Sequence, residues 1–227
     1  MDNNIKKKKF AKREYIYRKR IPYGMMNFVT VRERNCYYVD KTPFIEEIEN
    51  SNMYFFYIRP RRFGKSLTLS MLKQYYDINM ADRFEELFGG LYIGENPTPE
   101  HNTYLIISLN FAVVDANLEN YKKGLDAHCN TEFNYFCDVY AQYLPANIKE
   151  EMNRKDGAVE QLDYLCKECK KTGQKVYLFI DEYDHFTNTI LAEPDCLHAD
   201  SSALESGGHK CASLKIRSRR ILRNLIR

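Results

Sequence analysis

Met53-Tyr-Phe-Phe-Tyr-Ile-Arg-Pro-Arg-Arg-Phe-Gly-Lys-Ser-Leu67 decides how this chain is read. Its first six residues are a continuous apolar and aromatic run of strand length, the pattern of a strand buried on both faces of a parallel sheet. A basic loop over 59–64 follows, and Leu67, Met71, Leu72 and Tyr75 then keep helical spacing across 65–77. A loop in that position turns backbone N–H groups toward one point at the helix N-terminus, where the helix dipole also favours an anion. Gly64 lets the backbone approach a phosphate, Lys65 has the reach for β- and γ-phosphates, and the Ser66 hydroxyl suits Mg²⁺. The nucleotide contacts read from this stretch are Arg61, Arg62, Phe63, Gly64, Lys65, Ser66 and Leu67. The full pattern is G-x-x-x-x-G-K-(S/T), and Arg59 stands at its first glycine. The opening turn must therefore form without the residue that tolerates positive φ.

A Gly-Lys-Ser tripeptide also arises by chance in a basic loop that merely caps a core helix. The second motif weighs against chance. Val176-Tyr-Leu-Phe-Ile-Asp-Glu182 is an apolar strand ending in adjacent carboxylates. Asp181 at its tip suits Mg²⁺, and Glu182 suits a group that orients and deprotonates an attacking water. Catalytic roles thus fall on Lys65 and Glu182, and metal-binding roles on Ser66 and Asp181.

Between the motifs the pattern predicts a helix entered through Thr42 as N-cap and Pro43 as first residue, with Phe44, Ile45 and Ile48 on its apolar face. A short helix is expected over 81–88, a strand over Tyr104–Phe111, and a long helix over 117–144 ended by Pro145. Another helix is expected over 157–172, closed by Gly173. The order strand, helix, strand, helices, strand predicts an α/β fold: a P-loop NTPase-type parallel sheet with flanking helices and right-handed crossovers.

Ile21-Pro-Tyr-Gly24, Tyr38-Val-Asp-Lys-Thr42, Ile58-Arg-Pro-Arg-Arg-Phe-Gly-Lys-Ser-Leu67 and Phe179-Ile-Asp-Glu-Tyr-Asp184 together resemble the bacterial AAA-ATPase-like family. The resemblance covers residues 21–198, and Arg59 at the first glycine belongs to that family's pattern. It implies ATP binding with the roles given above for Lys65, Ser66, Asp181 and Glu182. It implies, too, a further strand between the P-loop strand and the Asp-Glu strand, and often a PD-(D/E)XK nuclease-like domain downstream. Nothing in 199–227 reads as that strand, so the domain is expected to be incomplete at its C-terminal end.

The composition divides the chain of 227 residues in the same way. Residues 1–20 are a basic arm with net charge +7, 199–227 form a basic tail with net +5, and 21–198 carry −9. All 31 Phe and Tyr lie before residue 199, so the tail departs from the domain in composition. It reads as a disordered or helical tail, or as a frameshifted or misjoined end, the reading favoured here. Basic arms suit nucleic-acid phosphates, although a solvated arm has the same composition. No apolar run approaches the length of a membrane span, and the basic start lacks an apolar signal core, which points to the cytoplasm. Seven cysteines without an export signal read as thiols, and Cys166-x-x-Cys169 falls in a helical stretch with no second pair to complete a zinc site.

The reaction implied is Mg²⁺-assisted attack of water on the γ-phosphate of ATP. The alternative is a non-catalytic nucleotide-binding or interaction module. Nucleic acid through the arms and a homo-oligomer are the further partners this reading allows.

Overall fold

The computed structural model describes residues 19–51, 55–58, 60, 63–113 and 121–182. The basic arm up to residue 18, the segment 114–120 and everything after residue 182, including the tail, lie outside the described residues. The fold is mixed α/β. Among the described residues its sheet has two parallel strands, β1 (Tyr104–Asn110) and β2 (Lys175–Asp181), in register from Tyr104 opposite Lys175 to Asn110 opposite Asp181.

Alternation along β1 sorts the core into two layers. Leu105, Ile107 and Leu109 point into one layer, where they meet Leu125, Cys129, Phe133 and Phe136 of α6 (Tyr121–Val139) and Leu162, Leu165 and Cys169 of α8 (Gly157–Lys171). α7 (Ile148–Asn153) closes this layer with Ile148 and Met152. The opposite face takes Phe179 of β2 and α3 (Lys65–Tyr76), which buries Met71, Leu72, Tyr75 and Tyr76. α1 (Phe28–Glu33), α2 (Phe44–Glu49), α4 (Phe84–Phe88) and α5 (Tyr92–Glu95) complete the second layer with Phe28, Ile45, Leu87, Phe88 and Ile93. Burying a side chain such as Phe133 contributes about 1.5–3 kcal/mol, so the two layers carry most of the stability.

Most expected elements form, with shifted ends. β1 stops at Asn110, and Phe111 begins a short 3₁₀ turn. α6 ends at Val139, ahead of the expected stop at Pro145, and the chain passes through a 3₁₀ turn at Ala141–Tyr143. α8 ends as expected: Gly173 adopts φ +74°, its N–H donates to the Lys170 carbonyl, and the Gln174 N–H donates to the Cys169 carbonyl. The expected helix over 81–88 is a 3₁₀ stretch, Ile78–Arg83, followed by α4.

Two expectations need correction. Thr42 does not cap α2; Pro43 holds the cap position. Asp40 instead takes the capping geometry one turn earlier, accepting from the Thr42 N–H at 2.8 Å and the Thr42 hydroxyl at 2.7 Å. The strand expected over 53–58 is the larger difference. Residues 55–58 form no strand, and Phe55, Phe56 and Ile58 are 46%, 65% and 79% exposed. A strand forms by pairing along a sheet edge, and among the described residues β1 and β2 pair with each other while 55–58 join neither ladder. Residues 52–54 lie outside the described set.

Candidate functional site

The site forms where α3 begins and β2 ends, because α3 packs on the face of the sheet that carries Phe179 of β2. Gly64 stands at the N-cap of α3 with φ +77°, a left-handed conformation that glycine adopts without steric cost. No side chain caps this helix, and the Thr68 N–H makes the first helical bond back to the Gly64 carbonyl. The start of α3 thus presents backbone donors and the positive end of the dipole, with no acidic residue in its first turn.

Lys65, the first helical residue, reaches across to the tip of β2. Its ammonium lies 3.0 Å from Asp181 Oδ1 and 3.6 Å from Glu182 Oε1. Asp181 closes β2 and also accepts a hydrogen bond from the Glu182 N–H at 2.9 Å. The chain turns sharply there: Glu182 adopts φ +54°, a conformation that costs a non-glycine residue on the order of 1–3 kcal/mol. The turn swings the second carboxylate back toward Lys65. The two motifs, more than a hundred residues apart in sequence, therefore share one cluster of a cation and two anions.

Ser66 follows on the first turn of α3 and is half-buried, while Leu67 packs against the second core layer. Phe63 is 63% exposed, and its carbonyl accepts from Lys41 Nζ at 3.3 Å. Arg61 and Arg62 lie outside the described residues, as does His185. Among the described residues no group of three or more His, Cys, Asp or Glu converges as a metal cage. Cys166 and Cys169 both sit on α8; Cys169 is fully buried, and burial pushes its thiol up to about 12.

Two lysines stand beside this cluster: sequence reasoning noted Lys41 within the Tyr38–Thr42 motif, with a structural role fitting it at least as well as a catalytic one, and passed over Lys73. Lys41 stands at the loop carbonyl just described. Lys73 lies under the site, donating to Ser108 Oγ of β1 at 2.5 Å with its ammonium 5.9 Å from the Phe179 ring centre. Burial lowers the Lys73 pKa, and the charges of Asp181 and then Glu132 oppose that shift. Its position was a readable signal: Lys73 follows Leu69 by four residues and precedes Tyr76 by three, so it falls on the buried stripe of α3.

A family model described as "Predicted AAA-ATPase" matches residues 22–206. The chain is also similar to an "uncharacterized protein in vnfD 5'region" of Azotobacter chroococcum mcd 1, 42% identical over 77 residues. Those residues are 34% of this chain and 14% of that protein, so the chain spans a small part of its relative's length. No solved structure matches the chain. Among the described residues, no helix is long and apolar enough to cross a membrane.

Proposed function

The chain belongs to the predicted AAA-ATPase family, and from that premise we propose that residues 21–198 are a P-loop domain that binds ATP ahead of α3 and hydrolyses it. The observation that carries this reading is the convergence of Lys65 with Asp181 and Glu182. A phosphate entering the loop exchanges the lysine's carboxylate contacts for its own oxygens, and so couples binding to the tip of β2. Backbone donors at the start of α3 and Lys65 hold the phosphates, with Arg61, Arg62, Phe63, Gly64 and Leu67 completing the loop. Glu182, released from Lys65, orients and deprotonates the attacking water.

The donor set suits Mg²⁺. Ser66 and Asp181 offer two oxygen ligands and no nitrogen or sulfur, which fits an ion that fills its remaining positions with water and phosphate oxygen. When bound, the ion neutralises charge developing on the phosphate oxygens.

A second reading, a nucleotide-binding module without turnover, is favoured by one observation. Residues 55–58 form no strand, so the described part of the segment ahead of the loop is not held in the sheet. In the P-loop architecture proposed here, one more strand separates 53–58 from β2 and pairs with both. Where that strand is missing, binding survives better than catalysis, because catalysis needs tighter placement of the water.

Thermal unfolding titrated with MgATP separates these readings when wild type, Lys65→Ala and Glu182→Gln are compared. A ligand bound only by the native state adds about 2.7 kcal/mol of stability at a hundredfold excess over its Kd. The expected result is a rise in Tm for wild type and Glu182→Gln and none for Lys65→Ala, with phosphate release in wild type alone. Binding in wild type without phosphate release selects the second reading. Equal shifts in wild type and Lys65→Ala overturn the P-loop assignment.

A further inference from the structure

Lys41 approaches the loop from outside it, on an anchored turn. Asp40 Oδ1 accepts from the Thr42 N–H and hydroxyl, while Asp40 Oδ2 accepts from the Tyr92 N–H at 2.9 Å. Thr42 is fully buried, and its hydroxyl accepts from the Ile93 N–H at 3.2 Å. Both neighbours of Lys41 are thus tied to the start of α5. A lysine on an ordinary surface turn extends its flexible stem so that the ammonium stays in water. This one is half-buried and donates to the Phe63 carbonyl at 3.3 Å. It lies so close that a Cβ on Gly64 would sit 2.9 Å from its Nζ.

Peptide geometry gives this contact a consequence. The described chain has no cis peptide, so the Phe63 carbonyl and the Gly64 N–H point to opposite sides of one planar unit. A carbonyl turned toward Lys41 fixes the Gly64 N–H on the far side. That unit would otherwise be loose, because Gly64 populates φ of either sign and a peptide ahead of glycine flips at little steric cost. The loop also lacks its first glycine, replaced by Arg59, so its shape cannot come from the usual glycine turn. An anion site built from backbone donors works only while those donors face the anion.

We propose that Lys41 is a positioning residue for the nucleotide site: it holds the Phe63–Gly64 peptide so that the Gly64 N–H faces the phosphates. The inference rests on the P-loop reading and adds a part to it from outside the loop. Lys41 acts through the carbonyl and not on the γ-phosphate. Its loss therefore falls equally on every ligand that uses the loop donors, which serve the inner phosphates.

The test compares wild type, Lys41→Met, Lys41→Arg and Lys65→Ala in the full chain, with MgATP, MgADP and magnesium pyrophosphate as probes. A hydrogen bond from a charged donor is worth enough that Lys41→Met is expected to weaken all three by about tenfold. Lys41→Arg, which keeps a cationic donor, stays within about threefold of wild type. The unliganded Tm of both variants stays close to that of wild type. In wild type, the Gly64 amide resonance shifts when magnesium pyrophosphate is added, a readout that needs no variant. Unchanged affinities in Lys41→Met overturn the proposal, as does a loss confined to MgATP, which would place the ammonium on the γ-phosphate. A Lys41→Arg variant as weak as Lys41→Met overturns it too, and so does a Gly64 resonance indifferent to pyrophosphate. If wild type and Lys65→Ala both ignore every probe, the P-loop reading itself fails. If wild type binds, Lys65→Ala does not, and Lys41→Met matches wild type, only the role of Lys41 fails.

Discussion

Gly64 shows how much one residue carries at this site. Its φ of +77° places it where an L side chain is strained, and its missing Cβ leaves room for Lys41. Gly64→Ala is expected to destabilise the fold by about 1–2 kcal/mol through backbone strain alone. Crowding against the lysine adds little to stability, because Nζ is the far end of a flexible stem, but it shifts the ammonium off the Phe63 carbonyl. Chemical denaturation and MgADP titration of the same variant check both parts: a lower unfolding midpoint together with weaker binding is expected. Affinity equal to wild type would show that the loop tolerates the displaced lysine. At this scale the sequence was informative wherever chemistry depends on spacing along the chain. Gly64, Lys65, Asp181 and Glu182 declare themselves as neighbours within two short motifs, and the structure brings Lys65, Asp181 and Glu182 together. Lys41 was visible as a member of the Tyr38–Thr42 motif, but its contact with the loop was not, because that contact depends on the Asp40 turn and on Tyr92, some fifty residues away. Nor did the left-handed Glu182, since no rule of propensity places a glutamate at positive φ.

Between elements, one polar junction fastens α3, β1 and α6 together. Asp77, just past the end of α3, accepts from the Asn79 N–H at 2.9 Å and from the Tyr140 hydroxyl at 2.9 Å. The same hydroxyl accepts from the Ile106 N–H of β1 at 3.1 Å. Tyr140→Phe leaves that N–H and the carboxylate each short of a partner, and is expected to cost about 1–3 kcal/mol in urea denaturation. Asp77 behaves differently. Burial raises its pKa above the usual carboxyl value, against the lowering by its bonds from Asn79 and Tyr140. The folded state therefore binds this proton more tightly than the unfolded state. Ionisation costs the fold at pH values above the raised pKa, and the cost disappears below the ordinary carboxyl range. Asp77→Asn keeps an acceptor and a good turn residue while removing the charge. It is expected to match or exceed wild-type stability at neutral pH, with the difference closing as pH falls toward about 4. A difference that stays constant across that range would show that Asp77 does not titrate as described. Element ends were legible where the signal is local, as with Gly173 closing α8. They were not legible where a tertiary contact decides, as with Asp40 taking the turn from Thr42. The 53–58 run reads as a strand from its residues alone, but a strand exists only where it pairs, and 55–58 join neither β1 nor β2.

For the whole molecule, that unmet expectation becomes a property of the surface. Phe55, Phe56 and Ile58 are exposed beside a cleft of about 320 Å³ that runs between them, α2 and α3. Phe44 adds apolar surface to the same cleft. The edge of β2 away from β1 has no strand partner among the described residues. An open strand edge and a contiguous apolar patch each favour association with another chain. The described structure is therefore expected to self-associate as its concentration rises, measurable by light scattering and sedimentation velocity. Phe56→Lys with Ile58→Lys places charge on two of the most exposed members of the patch. Substitutions at such exposed positions usually stay within about 0.5 kcal/mol, so the pair should suppress association while leaving the unfolding midpoint nearly unchanged. The opposite outcome is equally specific. If the double variant unfolds at a much lower denaturant concentration, residues 53–58 are buried in solution and serve as the strand that their composition describes. A wild-type chain that stays monomeric at high concentration, with the variant's stability unchanged, would show that the patch and the open edge are shielded from other molecules. The two measurements, taken together, therefore decide whether the loop ahead of Lys65 hangs from a sheet strand or from an exposed segment. That in turn sets how rigidly its backbone donors can be aimed at a phosphate.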